Sequence, residues 1–272
     1  MWFERLRPSC QEEVLAVIGL YDSGLGGLWI MHAVRRLLPQ HNLYYLADTA
    51  FCPYGSRSTE EVRKRALACA RWLVDRGAHL VVVACNTASS AALEVLRAEL
   101  SVPIVGMEPG IKPAIESTRV GRVGVLATGG TLAGARFARL VERFASEVQV
   151  QTVPCPGLVE RIEVGDLYSP QTRQLLQHYL TPLMEQGVDT IVLGCTHYLF
   201  LQPLLVELLK PDITIIDTGP AVAQQVARVA AMNGLVPDVG RVGAATTGDP
   251  ASVGPVFAHL WGEVLPLEHA DC

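Results

Sequence analysis

Leu80-Val81-Val82-Val83-Ala84-Cys85-Asn86-Thr87-Ala88-Ser89 and Thr190-Ile191-Val192-Leu193-Gly194-Cys195-Thr196-His197 decide the fold of this chain. Each is a run of β-branched and aliphatic residues closing on small polar ones, the pattern of a buried parallel strand that opens into a helix. In an open α/β sheet, ligands bind at the carboxyl ends of the strands. Each run therefore delivers its cysteine to a ligand-binding edge. Two thiols facing one ligand from two halves of a chain point to chemistry in which a proton leaves one side and returns on the other.

Outward from these runs, strand and helix alternate. A strand from Val14 to Tyr21 ends at Asp22-Ser23-Gly24-Leu25-Gly26-Gly27, and a helix follows to about Leu38, stopped by Pro39. Leu43 to Ala47 reads as a strand leading to the loop Cys52-Pro53-Tyr54-Gly55. Thr59 caps a helix whose apolar or small residues, Val62, Ala66, Cys69, Ala70 and Leu73, keep a 3.6-residue spacing. After Cys85 come a helix to Leu100 and a short strand, Pro103 to Gly106. Arg122-Val123-Gly124-Val125-Leu126-Ala127-Thr128-Gly129-Gly130-Thr131 then echoes the Asp22 segment. A strand at Ile213 to Asp217, a helix through Ala231 and a strand–turn–helix tail from Val242 to Glu268 complete the order. The expectation is an α/β protein with two doubly wound, mainly parallel-sheet lobes related by a pseudo-repeat, the active site lying in the cleft between them.

Composition narrows the function. With 272 residues, half of them hydrophobic and 18% charged, the chain can bury a substantial core. A formal charge of −5 argues against nucleic acid or an anionic membrane as partner, and Arg63-Lys64-Arg65 is read as a solvated helix face. Nothing approaches ~18 uninterrupted apolar residues, so no transmembrane span is expected. Met1 to Arg7 lacks a signal-peptide core. The seven cysteines form no C-x-x-C pair and no zinc spacing, so the expectation is no metal and a cytoplasmic protein with reduced thiols. Gly24-Leu25-Gly26-Gly27 does not complete a dinucleotide fingerprint, because Trp29 stands where a small residue is required. It is read instead as a tight turn aiming Asp22 and Ser23 into the cleft, with no cofactor.

Cys10, Cys69 and Cys272 are read as small buried hydrophobes; Cys52 and Cys155, beside prolines, stay open. Cys85 and Cys195 are placed at helix N-termini, where free N–H groups lower a thiol pKa from about 8.5 and also bind a carboxylate. Asp22 could accept a proton from one thiol or orient it, and His197 could do the same at the other.

Asp22-Ser23-Gly24-x-Gly26-Gly27, Pro53-Tyr54-Gly55, Ala84-Cys85-Asn86-Thr87-Ala88 and Gly194-Cys195-Thr196-His197-Tyr198 together resemble the signature of bacterial glutamate racemases, and the resemblance runs nearly end to end. It implies a cofactor-independent, two-base exchange of the Cα proton of glutamate, supplying D-glutamate for peptidoglycan. Cys85 would act on the D enantiomer with Asp22 assisting. Cys195 would act on the L enantiomer with His197, itself supported by Glu163. Ser23, Tyr54, Gly55, Asn86, Thr87, Thr128, Thr131 and Thr196, with Asp22 and His197, match positions that hold the substrate. The resemblance further implies a homodimer and a discontinuous first lobe, 1–107 plus 218–272, around a second lobe, 108–217.

Gly134 and Phe137 depart from the family's usual Ser and Tyr, Glu160-Arg161-Ile162 from its apolar run before Glu163, and Leu199 from its proline. The competing readings are a racemase of aspartate or another acidic amino acid, a non-catalytic binder of an acidic metabolite, and a thiol hydrolase with one essential cysteine.

Overall fold

A computed structural model describes residues 16–145 and 148–272. The readings of Met1 to Arg7, of Cys10 and of Val14 and Leu15 lie outside these residues. The strands, in chain order, are β1 (Val17–Asp22), β2 (Asn42–Ala47), β3 (Ala78–Val83), β4 (Ile104–Gly106), β5 (Arg122–Ala127), β6 (Gln149–Pro154), β7 (Thr190–Gly194), β8 (Thr214–Ile216), β9 (Val242–Thr246) and β10 (Leu267–His269). The helices are α1 (Leu28–Leu37), α2 (Thr59–Asp75), α3 (Asn86–Glu99), α4 (Ile111–Ser117), α5 (Gly129–Leu132), α6 (Ala135–Phe144), α7 (Leu158–Glu163), α8 (Pro170–Glu185), α9 (Gln202–Leu208), α10 (Gly219–Met232) and α11 (Pro250–Trp261).

The strands form two sheets, β10-β9-β2-β1-β3-β4 and β6-β5-β7-β8, and every pairing is parallel. The segment β2-β1-β3-β4 of the first sheet has the same order as the whole second sheet. That is the pseudo-repeat expected from the sequence. It equates β1 with β5 and β3 with β7, so the two thiol-bearing strands occupy matched positions. The first sheet combines strands from both ends of the chain, β9 and β10 being added beside β2.

Both faces of each sheet are covered, and alternate residues of each strand feed different cores. Ile18 and Leu20 of β1, with Leu80 and Val82 of β3, face one cluster, while Val17, Tyr21, Val81 and Val83 face another. In the second sheet Val123, Val125 and Val192 enter a third cluster. Leu126, Ile191 and Leu193 join the same cluster as Ile18 and Leu20. One continuous apolar core therefore runs from lobe to lobe and fixes the facing strand ends.

Local chemistry sets the ends of the elements. The cap of α2 is Ser58, one residue before the Thr59 expected from the sequence. Its hydroxyl accepts from the Glu61 N–H at 3.2 Å, and the Glu61 carboxylate accepts from the Ser58 N–H at 3.0 Å, a reciprocal capping box. At α8, Ser169 caps and Pro170 occupies the first turn, where a missing N–H costs nothing.

Candidate active site

Asp22 ends β1 and Cys85 follows the adjacent β3. Thr128 follows β5 and Cys195 follows the adjacent β7. These four positions, at the carboxyl ends of paired strands, place both thiols on one cleft. Ser23, Tyr54, Gly55, Asn86, Thr87, Thr128, Thr196 and His197 line it with them. The cleft is narrow between the thiols and adjoins a wider cavity that shares Pro53, Gly55, Thr128 and Val159 with it.

Cys85 is the N-cap of α3, and its sulfur accepts from the Ala88 N–H at 3.4 Å. The expectation that a helix terminus lowers its pKa fails here. Burial, followed by the charge of Asp22, pushes the Cys85 thiol up to about 12; the Ala88 N–H and Ser23 oppose this without cancelling it. Cys195 opens onto a short 3-10 turn, His197–Leu201, rather than an α-helix. The helix-terminus argument therefore does not apply to it, and its nearest polar partner is His197 Nδ1 at 3.8 Å.

The two acid–base partners are buried and differ in design. Asp22 accepts from Ser23 Oγ at 2.9 Å and, across the cleft, from Thr196 Oγ1 at 2.9 Å. Ser23 Oγ in turn lies 3.7 Å from Cys85 Sγ, so Asp22 reaches the thiol through Ser23. Burial raises the Asp22 carboxyl, with His197, Ser23 and Thr196 pulling the other way. For His197, burial favours the neutral ring, but hydrogen bonds with Cys195, Cys52 and Glu163 and the charge of Asp22 outweigh it. The imidazole is left well above its ordinary pKa. Glu163 Oε1 lies 2.6 Å from His197 Nε2 and accepts from the Leu25 N–H at 2.6 Å. Glu163 is thus brought to the histidine, despite the unusual residues preceding it. Gly26 is required by proximity, since a Cβ there would lie 2.3 Å from His197 Nδ1.

Hydroxyls and free donors supply the rest. Thr87 Oγ1 of one lobe lies 2.9 Å from Thr128 Oγ1 and 3.2 Å from Thr131 Oγ1 of the other, and these two are 3.0 Å apart. The Asn86 side-chain nitrogen is buried with no protein partner. Gly55 lies against Thr128, where a Cβ would come within 2.7 Å of the threonine Cβ. Tyr54 lines the cleft, but its hydroxyl donates to the fully buried Asp48. Asp48 also accepts from Arg65, at 2.7 and 3.0 Å, and from Thr247 Oγ1 at 2.8 Å.

Two participants escape the sequence reading. Cys52 joins the Glu163–His197 pair, and the donor atoms of all three lie within 4.8 Å of one another. Among the described residues this is the one group with a metal-binding donor set, and its histidine and carboxylate are already joined at 2.6 Å. Asp48 carries no motif of its own, and only the loop's folding reveals it as the anchor of Tyr54. Cys69 is buried as expected, whereas Cys272 is only half-buried.

Two thiols from two lobes on one cleft, each with an acid–base neighbour, beside the unpaired Asn86 amide and a cluster of threonine hydroxyls, suit an isomerase that moves a proton at a stereogenic carbon. The chain belongs to the family described as Asp/Glu/Hydantoin racemase, which matches residues 30–226. It is 56% identical over 260 residues to the glutamate racemase of Roseiflexus sp. (strain RS-1), covering 93% of this chain and 94% of that one. It is 54% identical over 222 residues to the glutamate racemase of Pseudomonas aeruginosa, covering 81% and 84%. Among solved structures, glutamate racemase isoform RacE1 from Bacillus anthracis superposes with a TM-score of 0.85 at 31% identity, covering 94% and 97%. Escherichia coli glutamate racemase, solved with L-glutamate and the activator UDP-MurNAc-Ala, does so with a TM-score of 0.84 at 31% identity, covering 93% and 96%.

Proposed function

We propose that the chain interconverts L- and D-glutamate with Cys195 and Cys85 as the two acid–base groups. The observation that carries this is the placement of both thiols, from matched strand ends of two lobes, on one buried cleft. A single base could invert the carbon only by moving or by exchanging its proton with solvent. Two opposed thiols avoid both.

The resemblance assigns each thiol to one enantiomer, and the geometry around the thiols supports that division. Cys85, pushed up to about 12, holds its proton and is the acid. His197, raised well above its ordinary pKa and 3.8 Å from Cys195, is placed to exchange a proton with that thiol. This form of the enzyme takes L-glutamate: Cys195 removes the Cα proton and Cys85 delivers its own to the opposite face. Turnover leaves the complementary form, Cys85 as base and Cys195 as acid, which takes D-glutamate. Charge developing at Cα spreads into the α-carboxylate. The Asn86 amide and the Thr87, Thr128, Thr131 and Thr196 hydroxyls supply donors there and to the distal carboxylate, in a largely buried site. Asp22 acts on Cys85 through Ser23, and Glu163 positions His197. Ser23, Tyr54 and Gly55 complete the substrate cradle.

The enzyme supplies D-glutamate for peptidoglycan and works as a cytoplasmic homodimer, its lobes divided at 107/108 and 217/218. Support for that division is the recruitment of β9 and β10 into the first sheet. The homodimer is what the resemblance implies, and sedimentation at working concentration tests it. Circular dichroism of the protein with L-glutamate, D-glutamate or L-aspartate, without added cofactor, tests the reaction. Loss of optical activity on both glutamates, abolished in Cys85→Ala and Cys195→Ala, is expected. Loss on aspartate alone would replace the substrate, and activity surviving either substitution would remove the two-thiol mechanism.

A further inference from the structure

Outside the cleft lining, Cys69 on α2 and Cys272 lie beside the same guanidinium. One guanidinium nitrogen, Arg65 Nη2, stands 3.9 Å from Cys69 Sγ and 3.8 Å from Cys272 Sγ. Arg65 Nη1 donates to the Cys272 carbonyl at 2.6 Å. The guanidinium is not free to turn away, being bound to Asp48 on one edge and lying 3.8 Å over the Phe51 ring. The segment carrying Cys272 is held as well, through the β10–β9 pairing and the Ala270 N–H donated to Thr246 O at 2.8 Å. The two sulfurs are therefore held together by structure around them, with a fixed cation beside both.

The two thiols are unequal. Cys69 is fully buried, and Cys272 is half-exposed. The hydrogen bond from Cys69, aided by Arg65, brings Cys272 down to about 7 against its burial, whereas the same bond and burial raise Cys69. Cys52 and Cys85 are instead both pushed up to about 12 by burial. An accessible thiolate beside a cation, with a second thiol in reach, has the make-up of a thiol that reacts with peroxide and is then resolved.

We propose that Cys272 and Cys69 form a peroxide-reactive dithiol that closes to an intramolecular disulfide. The Cys272 thiolate attacks one oxygen of hydrogen peroxide. An S–O bond forms, the O–O bond breaks, and the departing hydroxide takes a proton and leaves as water. Cys69 Sγ then attacks the Cys272 sulfur. The S–S bond forms, the S–O bond breaks, and the hydroxide leaves as a second water with the Cys69 proton. Two thiols lose two electrons and one peroxide is reduced to two waters. The reaction lies next to Arg65, which holds Asp48 and through it Tyr54 of the substrate loop.

The test treats the full chain with stoichiometric hydrogen peroxide, blocks remaining thiols, and digests with trypsin without reductant. Cleavage after Arg65, Arg71 and Arg241 releases 66–71 and 242–272. The expected product is these two peptides joined, lighter by two hydrogen atoms than their sum and separated by reductant. Cys69→Ser should stop at a sulfenic acid on Cys272, captured by dimedone at the wild-type rate. Cys272→Ser should leave Cys69 unoxidised. At pH 7, iodoacetamide should label Cys272 at least ~10-fold faster than Cys69, as thiolate fraction and exposure require. Peroxide modifying other cysteines while 66–71 and 242–272 stay unlinked would overturn the proposal. So would equal dimedone capture at Cys69 in Cys272→Ser.

Discussion

Glu163→Gln isolates what the Glu163–His197 contact does. The substitution keeps the size and a hydrogen-bond acceptor but removes the charge 2.6 Å from His197 Nε2. A hydrogen bond to a charged group is worth about 1.5–3 kcal/mol, and this one is part-buried, with His197 2% and Glu163 16% exposed. Weakening it costs the charged form of His197 and its placement beside Cys195 a comparable amount, which corresponds to roughly 10–100-fold in kcat/KM. Enantiomers have equal free energies in water, so kcat/KM must fall by the same factor in both directions. The asymmetry appears in the isotope effect instead. If Cys195 serves L-glutamate, the damaged step is proton transfer at that thiol. Removal of Cα deuterium from L-glutamate then becomes rate-limiting and shows a large primary effect. Starting from deuterated D-glutamate, removal by Cys85 stays fast and the effect shrinks. Initial rates with each Cα-deuterated enantiomer, followed by circular dichroism, give both numbers. Equal isotope effects on the two enantiomers, or an effect larger on D-glutamate, would refute this assignment of Glu163 and His197.

Gly26→Ala places a methyl 2.3 Å from His197 Nδ1 and should cut kcat/KM about 100-fold, as expected for a misplaced acid–base group, with the circular dichroism of the fold unchanged. Asp48→Ala leaves Arg65 and the Tyr54 hydroxyl without their buried acceptor and should cost about 3–5 kcal/mol in urea unfolding, whereas a loss under about 1 kcal/mol would remove Asp48 as the loop's anchor. Because the Cys85 thiol is raised in the fold to about 12 from about 8.5 unfolded, its stabilising contribution is complete below the unfolded value and is lost as pH climbs toward the folded one. Wild type should therefore lose stability between about pH 9 and 11 more steeply than Cys85→Ser, by a slope approaching one proton, measured from urea midpoints.

The sequence carries the repeated strand-to-thiol pattern because buried parallel strands write themselves as continuous aliphatic runs. Leu80 to Val83 and Thr190 to Leu193 could be placed from that signal alone. Edge strand β6 could not: Gln149, Gln151 and Thr152 make it half-polar, and it owes its strand geometry to pairing with β5. The site was legible where strand ends deliver residues, at Asp22, Cys85 and Cys195. Partners joined only by tertiary folding were not, among them the Asp22–Thr196 bond across the cleft, Cys52 beside His197, and Cys69 beside Cys272. Helix geometry alone lowers the Cys85 pKa, whereas burial and the charge of Asp22 on the paired strand β1, both products of the tertiary fold, raise it.

The central claim is that the proton leaves to one thiol and arrives from another. L-glutamate turned over in D2O for a small fraction of the reaction, with Cα–H of each enantiomer read by proton NMR after chiral separation, tests it most directly. Two opposed thiols predict that D-glutamate formed early carries deuterium at Cα while the remaining L-glutamate keeps its proton. Early D-glutamate that retains the substrate's own Cα proton would mean one base serving both faces, and would contradict the account.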